Sequence, residues 1–145
     1  QRGFWRHCAS GFSVMVVSPP ELSLLDEFKA ELDERSVRYR EVESVEECLA
    51  DADVIYMEPV VQADYTQARV DPTSEHGTTP AAYQVTRRLL EAKAKKDAIV
   101  LHSLPRMDEL TTDVDSTRHA RYWAEAANGV ALRMSLLSLV LGAIE

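Results

Sequence analysis

The sequence has little cysteine and none of the glycine-rich motifs that bind nucleotides. Its two cysteines, Cys8 and Cys48, are too few for a disulfide framework, and neither has a histidine or a second cysteine at a metal-binding or redox spacing. We therefore expect a reduced, cytoplasmic protein. Neither GxGxxG nor a P-loop motif occurs, so the usual sequence signals for dinucleotides and nucleoside triphosphates are missing.

Long apolar runs and an excess of positive charge are missing as well. We find no signal peptide or transmembrane run, and the apolar stretch near the end of the chain is interrupted by Arg133 and is short for a bilayer span. The formal net charge of −8 disfavours nucleic acids and anionic membranes as main partners. His76 and His119 form no ligand set with nearby acids, so we expect no metal.

The remaining composition fits an ordinary globular domain. The 145 residues are 46% hydrophobic and 28% charged, which suits one domain with its own core. Strand-like apolar runs alternate with helical patterns, which indicates βα units around a parallel sheet. We expect an α/β fold of the doubly wound, Rossmann-like type, with four or more parallel strands flanked by helices. The predicted strands cover residues 14–17, 37–42, 54–57 and 98–101.

Further patterns predict local structure between and after these strands. Residues 58–79 form a long polar stretch, and loops of this length are often functional lids. Thr79-Pro80 is typical of a helix N-terminus, so we predict a helix from there to about Ala94. Asn128-Gly129 predicts the end of one helix before the next begins. The last helix is apolar on all sides, and one small domain does not bury such a helix.

The most informative segment is residues 101–115, which read LHSLPRMDELTTDVD. The segment continues the strand predicted at residues 98–101, and ligands of open α/β sheets bind just past the carboxyl ends of the strands. Pro105 fixes the local backbone, and the Leu104-Pro105 bond can also be cis. We therefore expect a binding loop at this point.

This segment resembles the His-Pro-Leu-Pro-Arg motif of the aspartate carbamoyltransferases, with Ser103 in place of the first proline. The similarity covers the chain from about Ser13 to the end, with its motifs in the same order as in the family. Its other segments are residues 18–22, 53–57, 124–130 and 133–137.

The resemblance implies that residues 1–145 are the second, amino-acid-binding domain of a two-domain carbamoyltransferase, and that the first, carbamoyl-phosphate-binding domain is absent from this sequence. The family's Ser-Thr-Arg-Thr phosphate loop has no counterpart here, so we do not expect this chain alone to bind carbamoyl phosphate well. The start at Gln1 reads like a piece of a longer protein. The family also implies a homotrimer that shares active sites, and no metal or organic cofactor.

The implied reaction is carbamoyl transfer from carbamoyl phosphate to the amino group of L-aspartate. Its products are N-carbamoyl-L-aspartate and phosphate, on the route to pyrimidines. Two alternatives remain open: a related carbamoyltransferase with a different amine substrate, and a non-catalytic binding or regulatory fragment. Glu58-Pro59 and Ser103, where the sequence departs from the family, motivate the first alternative.

The resemblance gives roles to the residues around the bend. It implies that the Leu104 carbonyl orients the reacting amine and the carbamoyl group, and that Pro105 locks this carbonyl in place. His102 is a candidate for direct chemistry or, as we prefer, a hydrogen-bonded structural residue. Ser103 is a candidate for contact with the substrate.

The loop after Met57 also differs from the family. Members that use aspartate read Thr-Arg-Val-Gln there, and the arginine grips a substrate carboxylate in a two-point geometry that other side chains do not reproduce. Gln62 matches the family's glutamine and is a substrate-binding candidate, but the arginine has no counterpart beside it. Glu58 either repels aspartate in favour of a cationic or amide group, or points away to cap a helix or pair with a lysine.

Arginines elsewhere can contact substrate or brace the structure. Arg106 either binds substrate or pairs with Asp108 or Glu109, and we favour bracing because these acids are so near in sequence. Arg69 begins a segment that resembles the family's Arg-Leu-Asp-Pro loop, so it joins an interdomain ion pair, lends a cation to the substrate, or is simply solvated. Arg133, on an otherwise apolar helix, is expected to pair internally, and an acid of the missing domain is one candidate partner.

Overall fold

The computed structural model describes residues 11–58 and 79–143. These ranges contain parallel strands and helices, so the predicted α/β class is confirmed. The strands are β1 (Ser13–Val17), β2 (Arg38–Val42), β3 (Val54–Met57) and β4 (Ile99–His102). The α-helices are α1 (Asp26–Glu34), α2 (Arg87–Lys93) and α3 (Tyr122–Val140).

The strands form two parallel pairs in the described ranges, β1 with β2 and β3 with β4. In the second pair Met57 lies opposite His102, so both strands end at the same edge. Val100 also pairs with Ala120 in a short parallel bridge, which extends this pair on its other side. A cleft of about 840 Å³ is lined by residues of both β1 and β3. The single sheet of four or more strands is therefore seen as two smaller sheets.

The hydrophobic core lies around β3 and β4. Burial of a large aliphatic side chain contributes about 1.5–3 kcal/mol relative to an exposed one, so these contacts fix the position of the β4 end. The fully buried members are Leu49, Val85, Leu90, Val100, Leu110, Val114 and Tyr122.

The predicted helix start at Thr79 is wrong, since the α-helix of this segment begins at Arg87. Val85 is extended instead, because its N–H donates to the Glu109 carbonyl and its carbonyl accepts from Thr111 N–H. A strand-like pairing of this kind uses the groups that a helix would need. Helix α2 begins only after Thr86, whose hydroxyl accepts from Leu89 N–H at 3.2 Å as an N-cap.

The helix end predicted at Asn128-Gly129 is also wrong, since α3 continues without interruption through both residues. Gly129 gives room to the Arg133 side chain, whose Nη1 lies 2.8 Å from the position that a Cβ of residue 129 would occupy. Within the described ranges no carboxylate lies within ion-pair distance of Arg133. Its expected partner in another domain stays a prediction.

Much of α3 carries apolar side chains on its outside. Leu132 is 71% exposed, and Leu136 and Val140 are also exposed. The described part of the chain leaves this surface uncovered, as the all-round apolar pattern predicted. Among the described helices none has the length and apolar character needed to cross a membrane.

Candidate functional site

A bend follows directly after β4. The Leu104-Pro105 peptide bond is cis, and Leu104 has a φ of +54°. Few residues other than glycine adopt a positive φ, and a large side chain makes it rarer. The contacts of the neighbouring residues therefore have to hold the backbone of Leu104 in this region.

His102, the last residue of β4, lies buried under the bend. Its Nδ1 accepts from Leu104 N–H at 2.8 Å, and its Nε2 lies 2.7 Å from Glu109 Oε1. Glu109 is buried as well, and the same carboxylate oxygen accepts from Met107 N–H at 2.8 Å. The bend is thus held from residue 102 on one side and from residue 107 on the other.

The first turn of α3 is attached to the end of β4. The His102 N–H donates to Glu125 Oε2 at 3.0 Å. Tyr56 on β3 lies near Glu125 and Glu58; partial desolvation of its phenol, and then these two charges, raise the pKa of Tyr56. The carboxyl edge of the β3–β4 pair is therefore rich in carboxylates.

Glu58 and Ser103 contact each other across the ends of β3 and β4. The Ser103 hydroxyl donates to Glu58 Oε2 at 2.7 Å, and both residues are exposed. Among the described residues the hydrogen-bond partner of Glu58 is the serine hydroxyl next to the bend, and neither a helix N-terminus nor a lysine contacts it. A carboxylate therefore lies beside the bend.

Arg106 braces the loop through a different acid from the two considered. Its guanidinium binds Asp115 with both terminal nitrogens, the Nη2 distance being 2.8 Å. It also lies 5.7 Å from the centre of the Tyr122 ring and 5.6 Å from that of Trp123, distances typical of cation–π contacts. Pairing with Asp108 or Glu109 is wrong, because Glu109 is occupied with His102 and Met107.

The brace includes a buried phenol. Tyr122 donates to Asp115 and accepts from Arg106 Nη1 at 3.3 Å. Arg106, and then Tyr122, lower the pKa of Asp115, while burial and the bond to Asp115 raise the pKa of Tyr122 to about 12. The bidentate pair thus ties Arg106 to Asp115 in the turn Thr112–Ser116, and Tyr122 connects both to the first turn of α3.

Asp108 instead fixes the point at which the described chain resumes after the long polar stretch. Thr79 donates to it twice, through N–H at 2.6 Å and through the hydroxyl at 2.7 Å. Gln84 in turn donates to the Thr79 carbonyl at 2.8 Å. The loop end is thereby anchored beside the bend.

Two predicted substrate contacts, Gln62 and Arg69, lie outside the described residues. The described part of the site brings together His102, Ser103, Leu104, Pro105, Arg106 and Glu58. The 840 Å³ cleft reaches this region, since its lining includes Glu58 and Glu109, although Leu104 and Pro105 do not line it. In residues 11–58 and 79–143 no group of three or more His, Cys, Asp or Glu side chains can hold a metal ion.

Sequence reasoning missed Asp115, Glu125 and Tyr122 as parts of this site, and it considered Glu109 only as a partner of Arg106, not of His102. Glu109 lies seven residues after His102 in a loop, where no periodicity indicates contact. Glu125 and Tyr122 belong to a helix that the sequence marked mainly as apolar. A signal was available only for Asp115, which ends the acidic stretch that follows Arg106.

Comparison with known proteins gives consistent matches over most of the chain. The family model described as aspartate/ornithine carbamoyltransferase, Asp/Orn binding domain, matches residues 7–140. The aspartate carbamoyltransferase catalytic subunit of Hyperthermus butylicus is 41% identical over 129 residues, covering 89% of this chain and 39% of that protein. The corresponding subunit of Methanopyrus kandleri is 37% identical over 132 residues, covering 91% and 41%.

A solved structure gives the same match at the level of the fold. Ligand-free aspartate transcarbamoylase from Trypanosoma cruzi superposes with a TM-score of 0.66 at 26% identity, covering 86% of this chain and 39% of that one. The chain therefore spans about two fifths of the length of the relatives it matches.

Proposed function

Because the chain belongs to the aspartate/ornithine carbamoyltransferase family, we propose that it forms the amino-acid-binding half of an aspartate carbamoyltransferase. The amino nitrogen of L-aspartate attacks the carbonyl carbon of carbamoyl phosphate, the bond from that carbon to the phosphate oxygen breaks, and the amine loses a proton. The products are N-carbamoyl-L-aspartate and phosphate, which places the reaction in pyrimidine synthesis.

The bend at Leu104 and Pro105 carries this proposal. It stands at the carboxyl end of β4, where open α/β sheets bind ligands, and a buried pair of side chains supports it from below. Carbamoyl transfer depends mainly on holding the amine and the carbonyl carbon in line and on stabilising developing charge. A rigid carbonyl at Leu104 suits the first of these tasks.

The finer fold is part of the proposal. We propose that β1, β2, β3 and β4 belong to one doubly wound sheet of at least four parallel strands. Met15 and Val17 of β1 pack against the core cluster that contains Ile55 and Met57 of β3, which supports this arrangement. In such a sheet the bend would lie at the same edge as the end of β1.

The other substrate groups have to come from elsewhere. Arg106, the cation of the bend, is held by Asp115 and two aromatic rings, so it serves as a brace. We propose that Gln62 and Arg69 contact the aspartate. A preceding domain binds carbamoyl phosphate, and a neighbouring subunit of a homotrimer completes the site. A cytoplasmic setting is part of the same proposal.

One observation favours a second candidate, a carbamoyltransferase with a different amine substrate. Glu58 has its carboxylate beside the bend, where family members that use aspartate have a Thr-Arg sequence. A negative charge at this place disfavours a dicarboxylate and favours a substrate with a cationic or amide end.

A substrate panel with the two-domain protein that contains this chain tests the proposal. We expect carbamoyl phosphate to be consumed with L-aspartate, with N-carbamoyl-L-aspartate as the product by chromatography. Faster turnover of ornithine or asparagine would favour the second candidate. Absence of transfer to every amine, with both substrates bound in calorimetry, would contradict both.

A further inference from the structure

We infer that Glu109 is a positioning residue for the proposed reaction. It keeps the proton of the His102 ring on Nε2, so that Nδ1 remains an acceptor for Leu104 N–H. The inference rests on the proposed function, because it takes the bend as the place where amine and carbonyl meet. Nothing in the family motif assigns this role to the acid at residue 109, which lies beyond the His-Pro-Leu-Pro-Arg sequence.

The tautomer follows from the two hydrogen bonds of the ring. A backbone N–H is always a donor, and Leu104 N–H lies 2.8 Å from Nδ1. This nitrogen must therefore carry the lone pair, and a neutral ring has its single proton on Nε2. Nε2 lies 2.7 Å from Glu109 Oε1, so the Nε2–H donates a hydrogen bond to the Glu109 carboxylate.

Burial makes this arrangement the only one that satisfies the ring. The His102 and Glu109 side chains are 0% and 1% exposed, so bulk water does not replace either partner. The opposite tautomer would put a donor against Leu104 N–H and an acceptor against the carboxylate. Both contacts would then be lost in a place where unpaired polar groups are costly.

Glu109 also closes the bend from its other end. The same Oε1 that receives Nε2–H accepts from Met107 N–H at 2.8 Å. One buried oxygen thus connects residue 102, before the bend, with residue 107, after it. Displacement of this oxygen would loosen Leu104 on both sides at once.

The same geometry removes His102 as a general base. Its Nδ1 lone pair is used by Leu104, and its Nε2 carries a proton toward a buried acid. A base needs a free lone pair within reach of the proton that it abstracts. His102 therefore acts through the backbone of Leu104, as Glu109 acts through His102.

Two substitutions of His102 separate positioning from base catalysis. In His102→Asn the amide oxygen can take the place of Nδ1 and accept from Leu104 N–H, whereas in His102→Gln the amide nitrogen can take the place of Nε2 and donate to Glu109. We expect the asparagine variant of the two-domain protein to keep a kcat about tenfold above that of the glutamine variant, which is part of the roughly 100-fold loss that a 1 Å misplacement of reacting groups causes. Equal and complete loss in both variants would contradict the inference.

Two substitutions of Glu109 give the second arm. Glu109→Gln keeps an oxygen that accepts from both donors, and its amide nitrogen replaces Oε2, which has no partner among the described residues. We expect it to keep kcat within about threefold, while Glu109→Ala lowers kcat about tenfold or more with little change in the KM for carbamoyl phosphate. Glu91→Ala, at an exposed carboxylate on α2, is the control. Equal kcat values in both Glu109 variants would contradict the inference.

The tautomer itself is measured by long-range ¹H–¹⁵N correlation NMR of the His102 ring in the wild-type protein. We expect a protonated Nε2 and an unprotonated Nδ1. A proton on Nδ1 in an active protein would overturn this inference alone. An inactive wild-type protein with the expected tautomer would overturn the proposed function instead, so the two failures are distinct.

Discussion

The hydroxyl of Ser103 donates a 2.7 Å hydrogen bond to the Glu58 carboxylate. The sequence departs from the family motif at both positions. Glu58 follows the end of β3 and Ser103 follows the end of β4, 45 residues further along the chain. Their contact indicates that the two departures form one unit. The serine replaces a proline that has no hydroxyl, and the glutamate supplies the acceptor.

Removal of the Glu58 charge should improve the use of aspartate. Glu58→Gln keeps an acceptor for Ser103 but removes a negative charge near the place proposed for the substrate carboxylates. A unit charge at about 4 Å in water contributes about 1 kcal/mol, so we expect kcat/KM for aspartate to rise about two- to fivefold at low salt. Steady-state kinetics measures this, with Ser103→Ala as the variant that keeps the charge. An equal gain in both variants would show that the hydrogen bond, and not the charge, decides.

The Tyr122 phenol should make the fold sensitive to alkali. Its folded-state pKa is raised from 10.0 to about 12 by burial and by the bond to Asp115. A raised pKa stabilises the fold fully below pH 10, and this contribution is lost as the pH rises from 10 through about 12. Urea unfolding of wild type and Tyr122→Phe across this range should show a stability difference that shrinks with pH. A difference in the free energy of unfolding that stays constant between pH 10 and about 12 would argue against a raised pKa of Tyr122.

Gly129→Ala should stabilise the protein. Alanine favours the interior of a helix over glycine by about 0.8–1.0 kcal/mol, and the atom that meets the new Cβ is the far end of the flexible Arg133 side chain. We expect a gain of about 0.5–1 kcal/mol in the free energy of unfolding, measured in urea. Arg133→Ala is the control background. If Gly129→Ala destabilises the wild-type protein but stabilises the Arg133→Ala variant, the Arg133 guanidinium is held too firmly to move away from the new Cβ.

The uncovered surface of α3 should cause self-association of this 145-residue chain. Leu132 and Leu136 are both exposed and lie one turn apart, and large apolar patches promote contact between copies. The double substitution Leu132→Lys and Leu136→Lys should lower the mean mass in sedimentation velocity at the same concentration. Ser135→Lys on the same helix adds charge without removing apolar area, so an equal effect there would point to charge alone.

Strands could be predicted from the sequence where a short apolar run has polar residues on both sides. Residues 54–57 were predicted as a strand and form β3 with the same limits, and the α/β class followed from alternation of such runs with helical patterns. The parallel pairing of β3 with β4 was also predictable, because parallel neighbours need a long crossover connection and a long segment separates these two strands.

Local signals failed where a distant contact outweighed them. Thr79-Pro80 looks like a helix start, but Thr79 donates to Asp108 and Val85 pairs with Leu110. Arg106 pairs with Asp115 and not with the two acids nearest in sequence, because Asp115 lies beside Tyr122 and its two oxygens accept from both terminal guanidinium nitrogens. Neither partner is visible from spacing alone.

The most direct test of the account is a crystal structure of the proposed two-domain protein with L-aspartate and an unreactive analogue of carbamoyl phosphate. We predict that the aspartate amino group lies within about 3 Å of the Leu104 carbonyl oxygen, a normal hydrogen-bond distance. An aspartate bound elsewhere in an active enzyme, with the Leu104-Pro105 bend touching neither ligand, would contradict the central claim.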